Sequence, residues 1–327
     1  MRALLIIFLL FGLNGISQDH IEFKGISFSM TNRETTSSDI APIKKLNANW
    51  VAIVPYAFIK DYKVIYDSDY QWKGERPEGI RKCIQLAHEQ GLKVLLKPHV
   101  WIGWGAYTGD FKCSSELEWK EFERSYQDYI MTFVEIAKEE GVEMFSIGTE
   151  WEKAVAERPK FWRELIKAVR VQYEGKLIYA ANWDDYQKVP FWKELDYIGI
   201  DAYFPLSEKA NPSLDLLIKS WKTINPIIEQ YAHSQKKKVV FTEFGFQSRV
   251  GSTSKPWESN KEGKFSEKIQ DLAFLAFFKT IWTKSWFMGG FVWKWYHNHE
   301  NAGGKGDKDF TPQNKKAEET IRKYYGA

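Results

Sequence analysis

The sequence lacks several features that would point to whole classes of protein. Only 2 of its 327 residues are cysteine, too few for a disulfide scaffold, and a chain of this length buries enough surface to fold without one. Its 46 basic residues nearly balance 43 acidic ones, which argues against nucleic acid as the main partner. With 44% apolar and 27% charged residues, wholesale disorder and a membrane protein with many spans are excluded.

A long apolar run at the N-terminus has the pattern of a secretory signal peptide. Arg2 precedes the run Ala3–Leu13, which is too short to span a bilayer. Gly15-Ile16-Ser17 then offers small residues for cleavage before Gln18. We therefore expect residues 1–17 to be removed and residues 18–327 to be secreted or periplasmic, without a membrane anchor. A buried N-terminal helix is the alternative.

The two cysteines are Cys83, in a predicted helix, and Cys113, in a predicted loop. An oxidising compartment would permit a disulfide, but the bond also requires that the two Cα atoms lie within about 7 Å of each other. We predict that both cysteines are unpaired.

What the sequence does contain is a regular alternation of buried strands and amphipathic helices. Eight apolar runs rich in β-branched and aromatic residues predict strands, namely Phe23–Met30, Trp50–Phe58, Lys93–Trp101, Glu143–Trp151, Lys176–Asp184, Tyr197–Phe204, Lys238–Phe246 and Gly289–Tyr296. Helical patterns cover Pro77–Gln90, Ser115–Glu140, Pro159–Tyr173, Ser213–Ser234 and Ser266–Trp286, with a short helix in Lys188–Leu195 and a last one in Gln313–Tyr325. This alternation predicts an α/β fold, a single-domain (β/α)8 TIM barrel. A doubly wound open sheet is the alternative, although the first strand lacks the glycine-rich phosphate turn of that fold.

The long connections all follow strands and therefore lie at one end of the predicted barrel. They are Ile59–Arg76, Ile102–Ser114, Gln247–Phe265 and His297–Pro312. Because loops at the C-terminal ends of the strands build the active sites of such barrels, we expect the function at this face.

Two glutamates end apolar strands at that face. Glu150 closes the fourth predicted strand and Glu243 lies near the end of the seventh. A carboxylate is rarely buried without a partner. Two of them on roughly opposite strands therefore favour a shared site in the barrel mouth over separate structural ion pairs.

Strand alternation brings more polar and aromatic side chains to the same mouth. They are Lys97, His99 and Trp101 on the third strand, Asn182 and Trp183 on the fifth, Asp201 and Tyr203 on the sixth, and Trp293 and Trp295 on the eighth. This inventory suits sugar chemistry, because one carboxyl can donate a proton, another can act as nucleophile, and flat aromatic faces can stack on pyranose rings. His297-Asn298-His299 resembles a metal pair but lacks a carboxylate cluster at ligand spacing, so we predict no metal and no cofactor.

The aromatic surplus, 15 Trp, 16 Tyr and 22 Phe, divides into two predicted groups. Six tryptophans lie on predicted helices and are expected to pack there, namely Trp119, Trp162, Trp192, Trp221, Trp282 and Trp286. Six others lie at strand ends or in the loops just after them, namely Trp101, Trp104, Trp151, Trp183, Trp293 and Trp295. We expect the second group to line the site.

Several segments resemble the clan A glycoside hydrolases, and more closely glycoside hydrolase family 113, the endo-β-1,4-mannanases with a (β/α)8 fold. The matching stretches are Lys24-Gly25-Ile26-Ser27, Leu96-Lys97-Pro98-His99-Val100-Trp101, Phe145-Ser146-Ile147-Gly148-Thr149-Glu150, Asp196-Tyr197-Ile198-Gly199-Ile200-Asp201-Ala202-Tyr203, Phe241-Thr242-Glu243-Phe244-Gly245 and Gly290-Phe291-Val292-Trp293. The resemblance implies Glu150 as acid/base and Glu243 as nucleophile in a retaining double displacement without metal. It also implies that Tyr203 hydrogen-bonds the nucleophile and that Trp293 floors the subsite where cleavage starts.

One position departs from the clan pattern. Many clan A families have Asn directly before the acid/base Glu, where it holds the sugar 2-OH, whereas this chain has Thr149. The resemblance then implies that this contact moves to Asn182 or is weaker.

We therefore expect a secreted, retaining endo-β-1,4-mannanase that hydrolyses mannan or glucomannan. Its partner would be a β-linked polysaccharide or oligosaccharide, with no nucleic acid, no membrane association after signal cleavage, and a monomeric state. The alternatives are a retaining hydrolase of another β-1,4-glycan, such as glucan, xylan or chitosan, and a non-catalytic polysaccharide-binding barrel.

Overall fold

The computed structural model describes residues 20–103, 106–259 and 261–327, and its centre is a closed barrel of parallel strands. The strands are β1 (Phe23–Ser29), β2 (Trp50–Val54), β3 (Tyr56–Lys60), β4 (Lys63–Ile65), β5 (Lys93–Leu96), β6 (His99–Trp101), β7 (Met144–Thr149), β8 (Lys176–Asn182), β9 (Ile198–Asp201), β10 (Val239–Phe244) and β11 (Phe287–Trp295). Eight of them close the barrel in the order β1-β11-β10-β9-β8-β7-β5-β2. The predicted (β/α)8 barrel is confirmed.

The helices surround this barrel. They are α1 (Ser37–Lys45), α2 (Pro77–Glu89), α3 (Glu116–Glu139), α4 (Glu152–Glu157), α5 (Pro159–Gln172), α6 (Leu214–Gln235), α7 (Glu267–Thr280) and α8 (Lys316–Tyr325). Sequence patterns did not predict α1 and α4, and the expected short helix in Lys188–Leu195 is two 3-10 turns, Tyr186–Lys188 and Trp192–Glu194. α1 forms in spite of an internal Pro42, because the Thr36 backbone N–H and hydroxyl both donate to Asp39 and fix its first turn.

Two predicted strands are each divided by a proline. Pro55 separates β2 from β3, and Pro98 lies between β5 and β6, because proline supplies no N–H to a strand ladder. Beyond the prolines, β3 pairs with β6 on one side and with β4 on the other, in a small three-stranded sheet. The barrel strands therefore continue into one raised wall beside the barrel mouth.

Two apolar clusters hold the molecule together. The barrel interior is filled by Phe23, Trp50, Ala52, Leu95, Met144, Ile178, Val240 and Phe291. The larger cluster lies between barrel and helices, and it contains all six tryptophans that were predicted to pack there. Trp151 also lies in this cluster, so its expected place at the site is wrong. It follows Glu150 directly, and adjacent residues point to opposite sides of the barrel wall.

The remaining expectations concern the cysteines, membrane spans, the signal peptide and Trp104. Cys83 and Cys113 are both buried and unpaired, as predicted. Within the described ranges, no helix combines the length and apolarity that a membrane crossing requires. The predicted signal peptide lies outside the described residues, as does Trp104.

Candidate active site

The barrel mouth opens into a cleft of about 710 Å³ at the C-terminal ends of the strands. Nine of the eleven predicted site residues line it, namely Glu150, Glu243, His99, Trp101, Asn182, Trp183, Asp201, Tyr203 and Trp293. Lys97 and Trp295 do not. Most of the nine lie on the barrel strands or directly after their ends.

Glu243, on β10, is held by hydrogen bonds to both of its carboxyl oxygens. Lys97 Nζ donates to Oε1 at 2.5 Å and Tyr203 Oη donates to Oε2 at 2.6 Å. His99 Nε2 lies 3.6 Å from Oε1. Only 5% of Glu243 is exposed. The ammonium and the hydroxyl therefore give this buried carboxylate a hydrogen bond on each oxygen, one of them from a cation.

Lys97 does not occupy the place in the cleft that was predicted for it. Its side chain is fully buried below Glu243 and also bonds both oxygens of Asp201, at 3.1 and 3.3 Å. Thr242 Oγ1 donates to the same carboxylate at 2.7 Å. Burial would lower the pKa of Lys97, but the charges of Asp201 and Glu243 raise it overall. Lys97 therefore positions two carboxylates instead of meeting the substrate.

Glu150 lies one residue beyond β7 in a different environment. Its φ of 55° is unusual for a residue other than glycine, and its backbone N–H donates to Ala180 O at 2.8 Å. Burial, and then the charges of Asp201 and Glu243, raise the pKa of Glu150 well above its usual range. This carboxyl therefore keeps its proton to higher pH than an ordinary glutamate, as a proton donor requires.

Aromatic rings form the floor and the ends of the cleft. Trp293 lies parallel to His99, with ring centroids 6.1 Å apart, and Trp101 stands half-exposed nearby. At the other end Trp183 stacks on Trp257 with centroids 5.3 Å apart. Such faces suit the apolar faces of sugar rings.

Four aromatic residues that line the cleft were not predicted from the sequence, namely Tyr56, Tyr107, Trp257 and Phe310. Three of them lie in long loops and the fourth, Tyr56, lies directly beside Pro55, so strand periodicity carries no information about them. The signal that could have identified Tyr107 and Trp257 is their position within the long loops that follow the third and seventh predicted strands.

Trp295 was predicted to line the cleft but is fully buried between barrel and helices, parallel to His299 at 5.1 Å. Ile26 pairs with Val292, whereas Phe28 pairs with Trp295. Two steps along β1 thus match three along β11, and one extra residue reverses which side chains face inward.

The histidines after β11 serve packing. His297 is buried against Phe28, with ring centroids 4.4 Å apart, and its Nε2 lies 3.3 Å from Thr35 Oγ1. Neither His297 nor His299 lines the cleft. In the part of the chain that the structure describes, no group of three or more His, Cys, Asp or Glu side chains could hold a metal.

Two buried polar atoms near the carboxylates make no hydrogen bond within the described ranges. They are Thr149 Oγ1 and His99 Nε2, and both residues line the cleft. A buried polar atom without a hydrogen bond costs free energy, and a ligand rich in hydroxyl groups would supply the missing bonds. Asn182 is instead engaged, because its Nδ2 donates to Asp184 at 3.0 Å and its Oδ1 accepts from the Trp183 N–H.

Comparison with known proteins identifies the chain's class and family. The model of Glycoside Hydrolase Family 113 matches residues 26–315, and the barrel with two carboxyl groups in an aromatic cleft defines the class as glycoside hydrolase. The chain belongs to glycoside hydrolase family 113. Comparison with curated proteins gives no match.

Solved structures agree with this assignment. The GH113 β-mannanase of Alicyclobacillus acidocaldarius, solved in complex with ManMIm, is 26% identical, with a TM-score of 0.82 over 94% of this chain and 98% of that one. A second GH113 β-1,4-mannanase is 25% identical, with a TM-score of 0.79 over 93% and 99%. A β-glucuronidase of Faecalibacterium prausnitzii, 16% identical, shares the fold alone, with a TM-score of 0.62 over 94% of this chain and 49% of that one.

Proposed function

We propose that this glycoside hydrolase is a retaining endo-β-1,4-mannanase with Glu150 as acid/base and Glu243 as nucleophile. The observation that carries the proposal is the difference between the two carboxyl groups. Glu243 receives hydrogen bonds from an ammonium and a phenol, whereas the pKa of Glu150 is raised by burial and nearby negative charge. Retaining glycosidases require this division between an ionised nucleophile and a protonated acid.

The first chemical step follows from these positions. Glu243 attacks the anomeric carbon, and the C–O bond to the leaving sugar breaks while Glu150 protonates the departing oxygen. The product is an ester between Glu243 and the glycone. Forming the ester removes the negative charge of Glu243, one of the charges that raise the pKa of Glu150, so Glu150 becomes a better base for its second role.

In the second step the deprotonated Glu150 takes a proton from water, which attacks the same anomeric carbon and releases Glu243. Two inversions at one carbon retain the β configuration. Throughout, Lys97 stays bound to Asp201, which keeps the ammonium paired when Glu243 is esterified. Thr149 and His99 offer their unpartnered atoms to sugar hydroxyls.

The substrate class within this proposal is mannan or glucomannan. Its support is similarity to two solved β-mannanases at 25–26% identity over almost the whole chain. Reducing-sugar release from mannan, glucomannan, cellulose, xylan and chitosan tests it, with the largest rate expected on a mannan. A larger rate on another polymer would replace the substrate class, and binding without release would replace the enzyme by a binding barrel.

The stereochemical part needs its own measurement. Proton NMR of fresh hydrolysate should show the β-anomer of the new reducing end first, with the α-anomer appearing by mutarotation. Initial release of the α-anomer would establish inversion and contradict the role of Glu243 as nucleophile.

We also propose export with removal of residues 1–17, which rests on the apolar run and the small residues before Gln18. N-terminal sequencing of protein from the periplasm or medium of a bacterial host should begin at Gln18. An intact Met1 in the cytoplasm would contradict it.

A further inference from the structure

A second cavity of about 780 Å³ lies beside the cleft, over the ends of β1, β2 and β11. We call it the side chamber and define it by Tyr56, Trp72, Glu75, Trp101, Trp293 and Lys294. Three of these residues, Tyr56, Trp101 and Trp293, also line the cleft. The two cavities are therefore neighbours across a shared aromatic ridge. Neither catalytic candidate lines the side chamber.

The side chamber contains a buried carboxyl group without a partner. Glu75 is only 5% exposed, and its carboxyl makes no hydrogen bond or ion pair with the described residues. Burial raises the pKa of Glu75 to about 8, so the group is mostly protonated at neutral pH and can both donate and accept a hydrogen bond. Such a group costs free energy when its bonds remain unmade.

The side chamber also contains Lys294, whose ammonium lies over two aromatic faces. Burial lowers the pKa of Lys294, against the charges of Asp309 and Glu243, which raise it. Lys294 Nζ lies 5.5 Å from the ring centroid of Trp293 and 5.0 Å from that of Tyr296. It forms no salt bridge or hydrogen bond with any residue the structure describes. Its three N–H donors are therefore available to a ligand, and a ligand ring could stack on the neighbouring aromatic rings.

The segment that carries Glu75 is fixed before any ligand arrives. Buried Gln71 donates to Tyr56 O at 2.5 Å and to Glu75 O at 3.3 Å. The Gly74 N–H donates to Thr31 O at 3.1 Å, and a Cβ at Gly74 would lie 2.6 Å from that oxygen. The wall of the side chamber is thus built against β1 and β3.

The direction of a bound chain follows from the catalytic candidates. Glu150 must lie at the leaving-group oxygen. Trp183 directly follows β8, which is the barrel neighbour of β7, so its end of the cleft lies on the Glu150 side. The side chamber opens across Trp293, at the other end. It therefore lies on the glycone side of the bond that is cleaved.

We propose that the side chamber binds distal glycone units of the β-linked substrate, with Lys294 and Glu75 hydrogen-bonding their hydroxyls. A neutral sugar fits because its hydroxyls accept from the ammonium and exchange bonds with the carboxyl, while its ring stacks on tryptophan. This inference rests on the proposed function and adds two specificity-determining residues to it.

The test compares long and short β-1,4-mannooligosaccharides on four variants. Lys294→Met and Glu75→Leu should each lower kcat/KM on the hexaose about 10-fold and leave the shortest cleaved oligosaccharide within about 2-fold. Glu75→Gln keeps a donor and an acceptor and should retain most of the activity on the hexaose. Lys279→Met, at an exposed position of α7, is the matched control and should match wild type on both.

A binding measurement separates this inference from the proposed function. Calorimetry with Glu243→Gln should give tighter binding of mannohexaose than of mannobiose, and Lys294→Met added to that variant should remove most of the difference. A wild-type protein that hydrolyses no glycan would overturn the proposed function alone. Equal hexaose affinity with and without Lys294 would overturn the role of the side chamber, whatever the activity.

Discussion

Glu150 and Glu243 are the same residue type at the ends of two strands of one barrel, yet their surroundings differ in almost every respect. Glu243 lies within β10 and receives hydrogen bonds on both carboxyl oxygens. Glu150 lies past the end of β7, in a left-handed conformation, with no hydrogen bond from its carboxyl to the described residues. The comparison shows how environment, and not residue type, assigns acid and nucleophile.

The largest expected effect comes from removing the nucleophile candidate. Glu243→Ala should lower kcat on mannan at least about 10⁴-fold, because no group remains to form the glycosyl ester. Added azide should restore cleavage of an activated aryl glycoside and give an α-linked glycosyl azide, identified by NMR. A β-linked azide from this variant would mean that the roles of the two glutamates are exchanged.

The acid candidate should behave differently. Glu150→Gln should lower kcat on mannan by about 10²- to 10⁴-fold, because the leaving oxygen departs unprotonated. On an aryl glycoside whose leaving group needs no proton, the loss should be much smaller. Glu150→Ala with azide should give the β-linked product, opposite to that from Glu243→Ala. A near-normal rate of Glu150→Gln on polysaccharide would rule out Glu150 as the acid.

Removing Lys97 should make the two glutamates more alike. Lys97→Met leaves Asp201 and Glu243 buried without their cation, so we expect a destabilisation of about 3–5 kcal/mol and a fall in kcat of about 100-fold. Lys97→Arg should recover part of both effects. A folded Lys97→Met protein that keeps the wild-type kcat on mannan would contradict the positioning role.

The next prediction concerns Thr149, the residue directly before Glu150. Thr149→Val keeps the shape but removes the unpartnered hydroxyl, and we expect kcat/KM on mannan to fall about 10-fold with stability unchanged or improved. Ser207→Ala, at a loop hydroxyl away from the cleft, is a suitable control. Wild-type activity of Thr149→Val would show that the hydroxyl does not meet the sugar.

The smallest effect concerns a third carboxyl group, Glu75. Its pKa is about 8 in the folded protein, above the value of about 4.3 for an unfolded chain, so the folded state binds more protons in between. Its contribution to stability is therefore present below about pH 4 and lost as the pH rises through 8. Relative to Glu75→Gln, the wild-type Tm should fall between pH 5 and pH 8. Parallel Tm curves would contradict the raised pKa.

Sequence patterns predicted the barrel because its eight strands are apolar runs and its helices are amphipathic. They also located Glu150 and Glu243, since a charged residue at the end of a buried strand is physically unusual. Strand alternation gave the wrong side for Trp295, because an extra residue in β11 turns this side chain away from the barrel interior. Strand alternation also placed Lys97 in the barrel mouth. Alternation predicts whether a side chain points into the barrel, but not how far below the mouth it lies.

The loop aromatics and the side chamber escaped prediction for a related reason. Trp257 and Glu75 take their positions from contacts with distant parts of the chain, such as the stacking of Trp257 on Trp183 and the hydrogen bond from the Gly74 N–H to Thr31 O. No local pattern of residues encodes such contacts. The distance between two segments becomes known only when the barrel closes.

The two proline-divided strands have a consequence for binding kinetics. Since β3 and β6 continue directly from barrel strands, one wall of the substrate path forms as the barrel forms. A polymer that arrives there meets a surface already in its bound shape, so little ordering entropy is lost. We expect association at this wall to proceed as one diffusional step, with affinity differences among oligosaccharides arising mainly from their dissociation rates.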